Sequence, residues 1–159
     1  MTCYLNLLNM NTRQTIDIFL NEKKLAIAGV SRNPKKFGNI IFRTLKEKGY
    51  SITPINPNGG TIDGSVCTDS IANLGSDVQN LLIVTHKRDT KKALQEAISK
   101  GVKNIWIQNG CETIEAIKIA QEKNINLVSK ACFLMYANPQ GFHKFHQTIS
   151  RWMGGYVKE

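Results

Sequence analysis

Three times along this 159-residue chain the same short pattern recurs, at Glu47-Lys48-Gly49-Tyr50, Ser99-Lys100-Gly101-Val102 and Glu122-Lys123-Asn124-Ile125. Each is a polar, lysine-bearing helix end that meets Gly or Asn and then an apolar residue. That order is what a helix C-terminus requires. The residue after the last turn takes left-handed angles, which Gly and Asn tolerate best, and the next one packs back on the helix. Each stop leads within a few residues into a short apolar run: Ile52 to Ile55, Asn104 to Ile107, and Asn126 to Val128. Two more runs, Leu25 to Ala28 and Leu81 to Val84, are too short for a core helix and lack polar alternation, as suits strands covered on both faces. Strands near residues 25, 52, 81, 104 and 126 therefore alternate with helices. Because every parallel crossover needs a helix, the chain is expected to be α/β, a five-stranded, mainly parallel, doubly wound sheet with helices on both faces.

The helices are read from caps and apolar stripes. Asp89 or Thr90 is expected to cap a helix whose buried face is Ala93, Leu94, Ala97 and Ile98, and Glu112-Thr113 to open one carrying Ile117 and Ala120. Asn11/Thr12 start a short helix over 12–20 with an Ile16, Phe19, Leu20 stripe, expected beside the first strand. Residues 56–76, rich in Asn, Gly, Ser, Thr and Asp, read as a loop or a minor helix. Phe142, Phe145, Ile149 and Trp152 fall at helical spacing over 141–153 and are expected to close the fold or to meet a second copy in a homodimer. One domain over 1–159, with its core over about 20–135, fits this length.

Composition narrows the class. Lys+Arg number 21 against 12 Asp+Glu, a formal charge of +9 that favours an anionic partner without choosing one. The cations are scattered and form no block, which also suits a solvated basic surface. Cys3, Cys67, Cys111 and Cys132 show neither a CxxC pair nor His partners at zinc-finger spacing, so free thiols are expected and no metal. The first residues lack the basic start and continuous apolar core of a signal peptide, and no stretch approaches the roughly 18 apolar residues of a membrane span. A cytoplasmic protein without membrane contact is expected.

In such a sheet ligands bind beyond the carboxyl ends of the strands, where the strand order reverses. The first strand runs out into Gly29-Val30-Ser31-Arg32-Asn33-Pro34-Lys35-Lys36-Phe37-Gly38. Gly29 allows a close turn, Ser31 offers a hydroxyl, and Arg32, Lys35 and Lys36 offer positive charge just before Gly38-Asn39 opens a helix, whose start favours an anion. Ser31 also suits a plain turn, Lys35 a solvated position, and Phe37 either core or a platform for a base. The other strand ends supply Asn56-Pro57-Asn58, Thr85-His86-Lys87, Gln108-Asn109-Gly110 and Ser129-Lys130. No G-x-G-x-x-G occurs, and the end of the second strand holds Asn56 and Pro57 where a dinucleotide site would place an acid for the ribose. Nicotinamide cofactors are thus disfavoured against a more highly charged nucleotide.

G-V-S-R-N-P-K-K-F-G, then I-N-P-N, a glycine at 64 and I-W-I-Q-N-G together resemble the CoA-binding domain family related to the amino-terminal domain of the succinyl-CoA synthetase α subunit. The resemblance covers about residues 20–135. It implies a Rossmann-like domain binding coenzyme A or an acyl-CoA, often as a small protein with no assigned reaction. It implies that Gly29, Ser31, Lys36, Phe37 and Gly38, with Arg32 beside them, hold the diphosphate and adenosine part. Asn56 and Pro57 would flank the nucleotide, and Thr85, Gln108 and Gly110 would line the rest. Many members end the fifth strand with Asp-Arg-Cys, whereas Ser129-Lys130-Ala131-Cys132 stands here, so no role of that acid or arginine carries over. The synthetase's phosphorylated histidine belongs to a further domain, so no ligase activity is expected of this chain.

Catalytic readings are weaker. Cys111 sits between a strand end and a helix start, a place that tends to lower a thiol pKa, but no base stands beside it and an unreactive residue is the plainer reading. His86 is the better-placed acid–base candidate, with Lys87 and Arg88 suggesting a basic rim instead. His143 and His146 are three apart without a third ligand, which fits a packing helix better than a metal. The expectation is a CoA-binding protein without catalysis. A CoA-dependent acyl-transfer or nicotinamide-dependent enzyme component and a basic nucleic-acid-binding domain are its alternatives.

Overall fold

The computed structural model describes residues 11–137. Its main sheet contains β1 (Lys24–Ala28), β2 (Ser51–Ile55), β5 (Asn80–Ile83), β6 (Asn104–Gln108) and β7 (Asn126–Ala131), in the order β2-β1-β5-β6-β7, with every pair parallel. The helices are α1 (Arg13–Asn21), α2 (Phe37–Glu47), α3 (Lys87–Lys100), α4 (Ile114–Glu122) and the short α5 (Phe133–Ala137). This is the doubly wound Rossmann-like α/β fold expected from the chain.

Strand alternation divides the core in two. Leu25, Ile27, Leu82, Trp106 and Val128 face α1, α2 and α5, where Phe19, Phe42 and Phe133 bury their rings. Ala26, Ala28, Leu81, Ile83, Ile105 and Leu127 face α3 and α4, whose contacts are mainly alanines at 93, 97, 116 and 120. Small residues there let the helices lie close to the sheet. On the other face Trp106 meets Phe19 and Phe133 edge-on at 5.5 and 5.0 Å, while its indole Nε1 donates to Ala131 O at 3.0 Å. Aromatic edges and a satisfied N–H are how a core accommodates Trp.

The three helix stops take the expected form. Gly49, Gly101 and Asn124 have φ of +79°, +86° and +51°, and the amides of Tyr50, Val102 and Ile125 reach back to Leu45, Ala97 and Ala120. Other expectations are corrected. The amino-terminal helix has its contacts over β6 and β7 rather than beside β1, because Phe19 belongs to the aromatic cluster around Trp106. The third helix starts at Lys87, so neither Asp89 nor Thr90 caps it. Thr90 is fully buried within its first turn, and its hydroxyl donates to Cys111 O at 2.7 Å. Residues 56–76 contain a two-stranded hairpin, β3 (Thr61–Ile62) with β4 (Ser65–Val66), followed by a 3-10 turn at Ile71–Asn73. Thr68 then runs parallel to Ile55, covering the outer edge of β2. The aromatic helix expected at 141–153, with His143 and His146, lies outside the described residues.

Candidate functional site

At the carboxyl end of β1 the backbone is pressed into a space that only glycine fits. Gly29 has φ +97°, and a Cβ there would lie 2.5 Å from Val84 O; a Cβ on Gly38 would lie 2.4 Å from Gly29 O. The turn after β1, the end of β5 and the first turn of α2 are thereby in backbone contact. Ser31 Oγ accepts from the Asn33 amide at 3.1 Å and Asn33 Oδ1 from the Lys35 amide at 3.0 Å, so both side chains shape the turn. Arg32 to Lys36 are exposed.

The helix starts differ around the molecule. Thr12 and Thr113 cap α1 and α4, accepting from the amides of Thr15 and Ala116 at 3.1 Å each. Lys36 and His86, the residues before α2 and α3, make no side-chain cap. Both uncapped starts open on one cleft of about 770 Å³, which lies where the strand order reverses between β1 and β5.

Nine of the eleven residues predicted from sequence line this cleft: Gly29, Ser31, Lys36, Phe37, Gly38, Pro57, Thr85, Gln108 and Gly110. The lining leaves out Arg32 and Asn56, whose side chains are engaged elsewhere. The Arg32 guanidinium donates to Gly59 O, while Asn56 Nδ2 donates to Val30 O at 2.8 Å and its Oδ1 accepts from the Asn58 amide at 3.0 Å. Gln108 is buried, and its Oε1 accepts from the Phe133 amide at 3.0 Å, so its carbonyl end serves the start of α5. His86 is an exposed part of the lining.

Sequence reasoning missed the opposite wall: Asp69, Ser70 and Ile71, and the α3 face of Asp89, Lys92, Ala93 and Glu96. The helical signal was available, since positions 89, 92, 93 and 96 share one face directly after a strand end. Asp69 to Ile71 carry no such signal, because their place follows from Thr68 pairing with β2. The cleft is basic at Lys36 and mixed, with three carboxylates, along α3 and residue 69.

Cys111 lines the cleft, and its surroundings shift the thiol pKa upward. Burial pushes its pKa up, and Glu112 adds to this against a smaller opposing pull from Lys87. Burial also raises the pKa of Cys67. The tendency of such a place in the chain to lower a thiol pKa is not what the surroundings of Cys111 favour, burial being the largest cause of the upward shift.

A doubly wound parallel sheet with a glycine turn and its crevice at the order reversal defines a Rossmann-like α/β domain. The sequence model of the CoA binding domain family matches residues 23–138, and the chain belongs to that family. It is 28% identical over 128 residues to the α subunit of ADP-forming acetate–CoA ligase II of Pyrococcus furiosus, covering 74% of this chain and 28% of that one. It is 32% identical over 118 residues to the ADP-forming acetate–CoA ligase of Methanocaldococcus jannaschii, covering 69% and 17%. The chain spans less than a third of the length of these curated relatives. A hypothetical protein from Pyrococcus horikoshii has a similar structure, with a TM-score of 0.72 at 27% identity over 86% of this chain and 91% of that one. Among the described residues no helix is long and apolar enough to cross a membrane.

Proposed function

We propose that the chain binds coenzyme A or an acyl-CoA in the switch-point cleft, with the diphosphate at the turn after β1 and no reaction of its own. The observation that carries this reading is that α2 and α3, neither of them capped by a side chain, open on the same cleft beside Lys36. Each helix start presents unsatisfied N–H groups and about half a positive charge, and a lysine adds a full one. A polyanionic nucleotide supplies the acceptors that no capping side chain provides. NAD fits less well, because the residue that follows β2 in the chain, where a dinucleotide site places its acid, is Asn56, which spends both ends of its amide within the protein. The raised pKa of Cys111 supports a binding role over thiolate chemistry.

Calorimetric titration with CoA, 3′-dephospho-CoA and NAD in matched salt tests the reading. CoA is expected to bind most tightly, and Lys36→Ala to weaken it by about tenfold, the scale of one charge-assisted contact. Absence of heat from CoA, or a preference for NAD, would overturn it. An RNA probe binding with steep salt dependence in place of CoA would point instead to a nucleic-acid surface.

A further inference from the structure

The hairpin of β3 and β4 lies away from the cleft lining, yet the residues around it hold three successive groups of the turn after β1. Asn56 Nδ2 donates to Val30 O at 2.8 Å. Asn39 Nδ2 donates to Ser31 O at 2.8 Å and to Asp63 Oδ2 at 3.3 Å. The Arg32 guanidinium donates to Gly59 O. Asp63 is anchored in turn, since Arg43 donates to both its carboxylate oxygens at 3.0 Å and Lys46 Nζ to its carbonyl at 2.6 Å.

A trans peptide is planar, with its C=O and N–H pointing in opposite directions. Fixing the carbonyls of Val30 and Ser31 therefore turns the amides of Ser31 and Arg32 away from the two asparagines. No acceptor among the described residues takes either amide. Asn39 is almost fully buried, and its Oδ1 has no partner. Rotating the amide to satisfy that oxygen would aim it at the Ser31 carbonyl and the Asp63 carboxylate, two acceptors. The side chain therefore leaves one buried acceptor unpaired to keep its donor on the turn.

We infer that the hairpin is a strap for the anion-binding turn, in which Asn39, oriented by Asp63, is the positioning residue that turns the Ser31 amide toward the cleft and fixes the Arg32 amide next to it. This rests on the CoA reading for the identity of the ligand, but not for the ordering of the turn. The bond from Asn39 to Ser31 sets the turn, and the bond from Asn39 to Asp63 sets Asn39.

The test compares wild type, Asn39→Asp and the exchanged pair Asn39→Asp with Asp63→Asn. The single variant removes the donor to Ser31 and opposes two carboxylates. The exchanged pair restores a donor–acceptor contact between 39 and 63 but leaves Ser31 O without its donor. Amide relaxation of the ligand-free proteins is expected to give order parameters near 0.85 at Ser31 and Arg32 in wild type and below about 0.6 in both variants. CoA affinity is expected to fall by about tenfold in both, whereas thermal stability recovers in part in the exchanged pair, which still lacks the carboxylate that Arg43 holds. Order parameters unchanged at Ser31 and Arg32, or recovered with affinity in the exchanged pair, would overturn the strap. If Asn39→Asp does not fold, the exchanged pair decides alone. If wild type gives no heat with CoA, the CoA reading fails while the relaxation data still decide the strap.

Discussion

The starts of α1 and α4 and the starts of α2 and α3 are the same structural problem finished in two ways. All four helices expose N–H groups that their own turns cannot use. At α1 and α4 a threonine hydroxyl accepts from one of them. At α2 and α3 a lysine and a histidine stand in the capping position and close nothing. The closed starts cap structure and the open ones border the cleft. Where a fold leaves donors unfinished on a rigid, glycine-wedged turn, a ligand can complete it.

The wedge itself offers the largest test. Gly29→Ala would force a left-handed residue and place a Cβ against Val84 O, and that carbonyl belongs to the backbone. Gly101 has a similar φ, +86°, with open space around it. Left-handed strain alone is worth about 1–2 kcal/mol, and overpacking adds about 1–3 kcal/mol. Gly29→Ala is therefore expected to lower unfolding stability by clearly more than Gly101→Ala in urea titrations. Equal losses would mean that the turn can shift and is not rigid.

Converting an open start into a closed one comes next. Lys36→Asp supplies a good capping side chain and reverses the charge beside the cleft. Stability is expected to rise by about 0.5–1 kcal/mol while CoA binding weakens by about 100-fold, equivalent to about 2.7 kcal/mol. Melting and calorimetry on the same preparation would show the two moving in opposite directions. Unchanged affinity would place the anion elsewhere. The converse pair, Thr12→Ala and Thr113→Ala, should each cost about 1 kcal/mol of stability and leave CoA affinity as it was.

How far the two kinds of helix start were legible differs by residue. The strands and the three helix stops followed from apolar runs and from Gly49, Gly101 and Asn124, because left-handed angles select those residue types so strongly. The hairpin is less legible, although Asp63-Gly64 between Ile62 and Ser65 is a two-residue turn signal, with φ of +46° and +76°. Its strands of two residues are too short to show a period. Asp89 and Thr90 both look like caps, which sets the expected start of α3 later than Lys87. Only tertiary contact shows the Thr90 hydroxyl spent on Cys111 O. Arg32 and Asn56 have the residue types a phosphate or ribose would want. Residue type does not say which way a side chain turns, and here both hold backbone carbonyls of the loops.

The smallest expected effect separates the strap from the rest of the fold by pH. The hydrogen bond from Arg43 holds the Asp63 carboxyl below its ordinary value, with charge from Arg43, the Asn39 amide and Lys46 acting in the same sense against partial desolvation. A carboxyl whose folded pKa lies below its unfolded one binds its proton more readily in the unfolded chain. Its contribution is therefore complete above about pH 4 and fades as pH falls through the folded value. Asp69, hydrogen-bonded by Asn73, and Asp77, paired with Lys24, are lowered as well, so acid weakens the whole protein. They titrate alike in wild type and in Asp63→Asn, and the difference between the two proteins isolates Asp63. That difference, read from urea midpoints, is expected to be constant from pH 7 to about 5 and to shrink toward pH 3. The Thr12 and Thr113 caps are uncharged, so the cost of removing them should not change over the same range. A difference that stays constant to pH 3 would mean that the Asp63 charge does not hold the hairpin, leaving Asn39 to position the turn on its own.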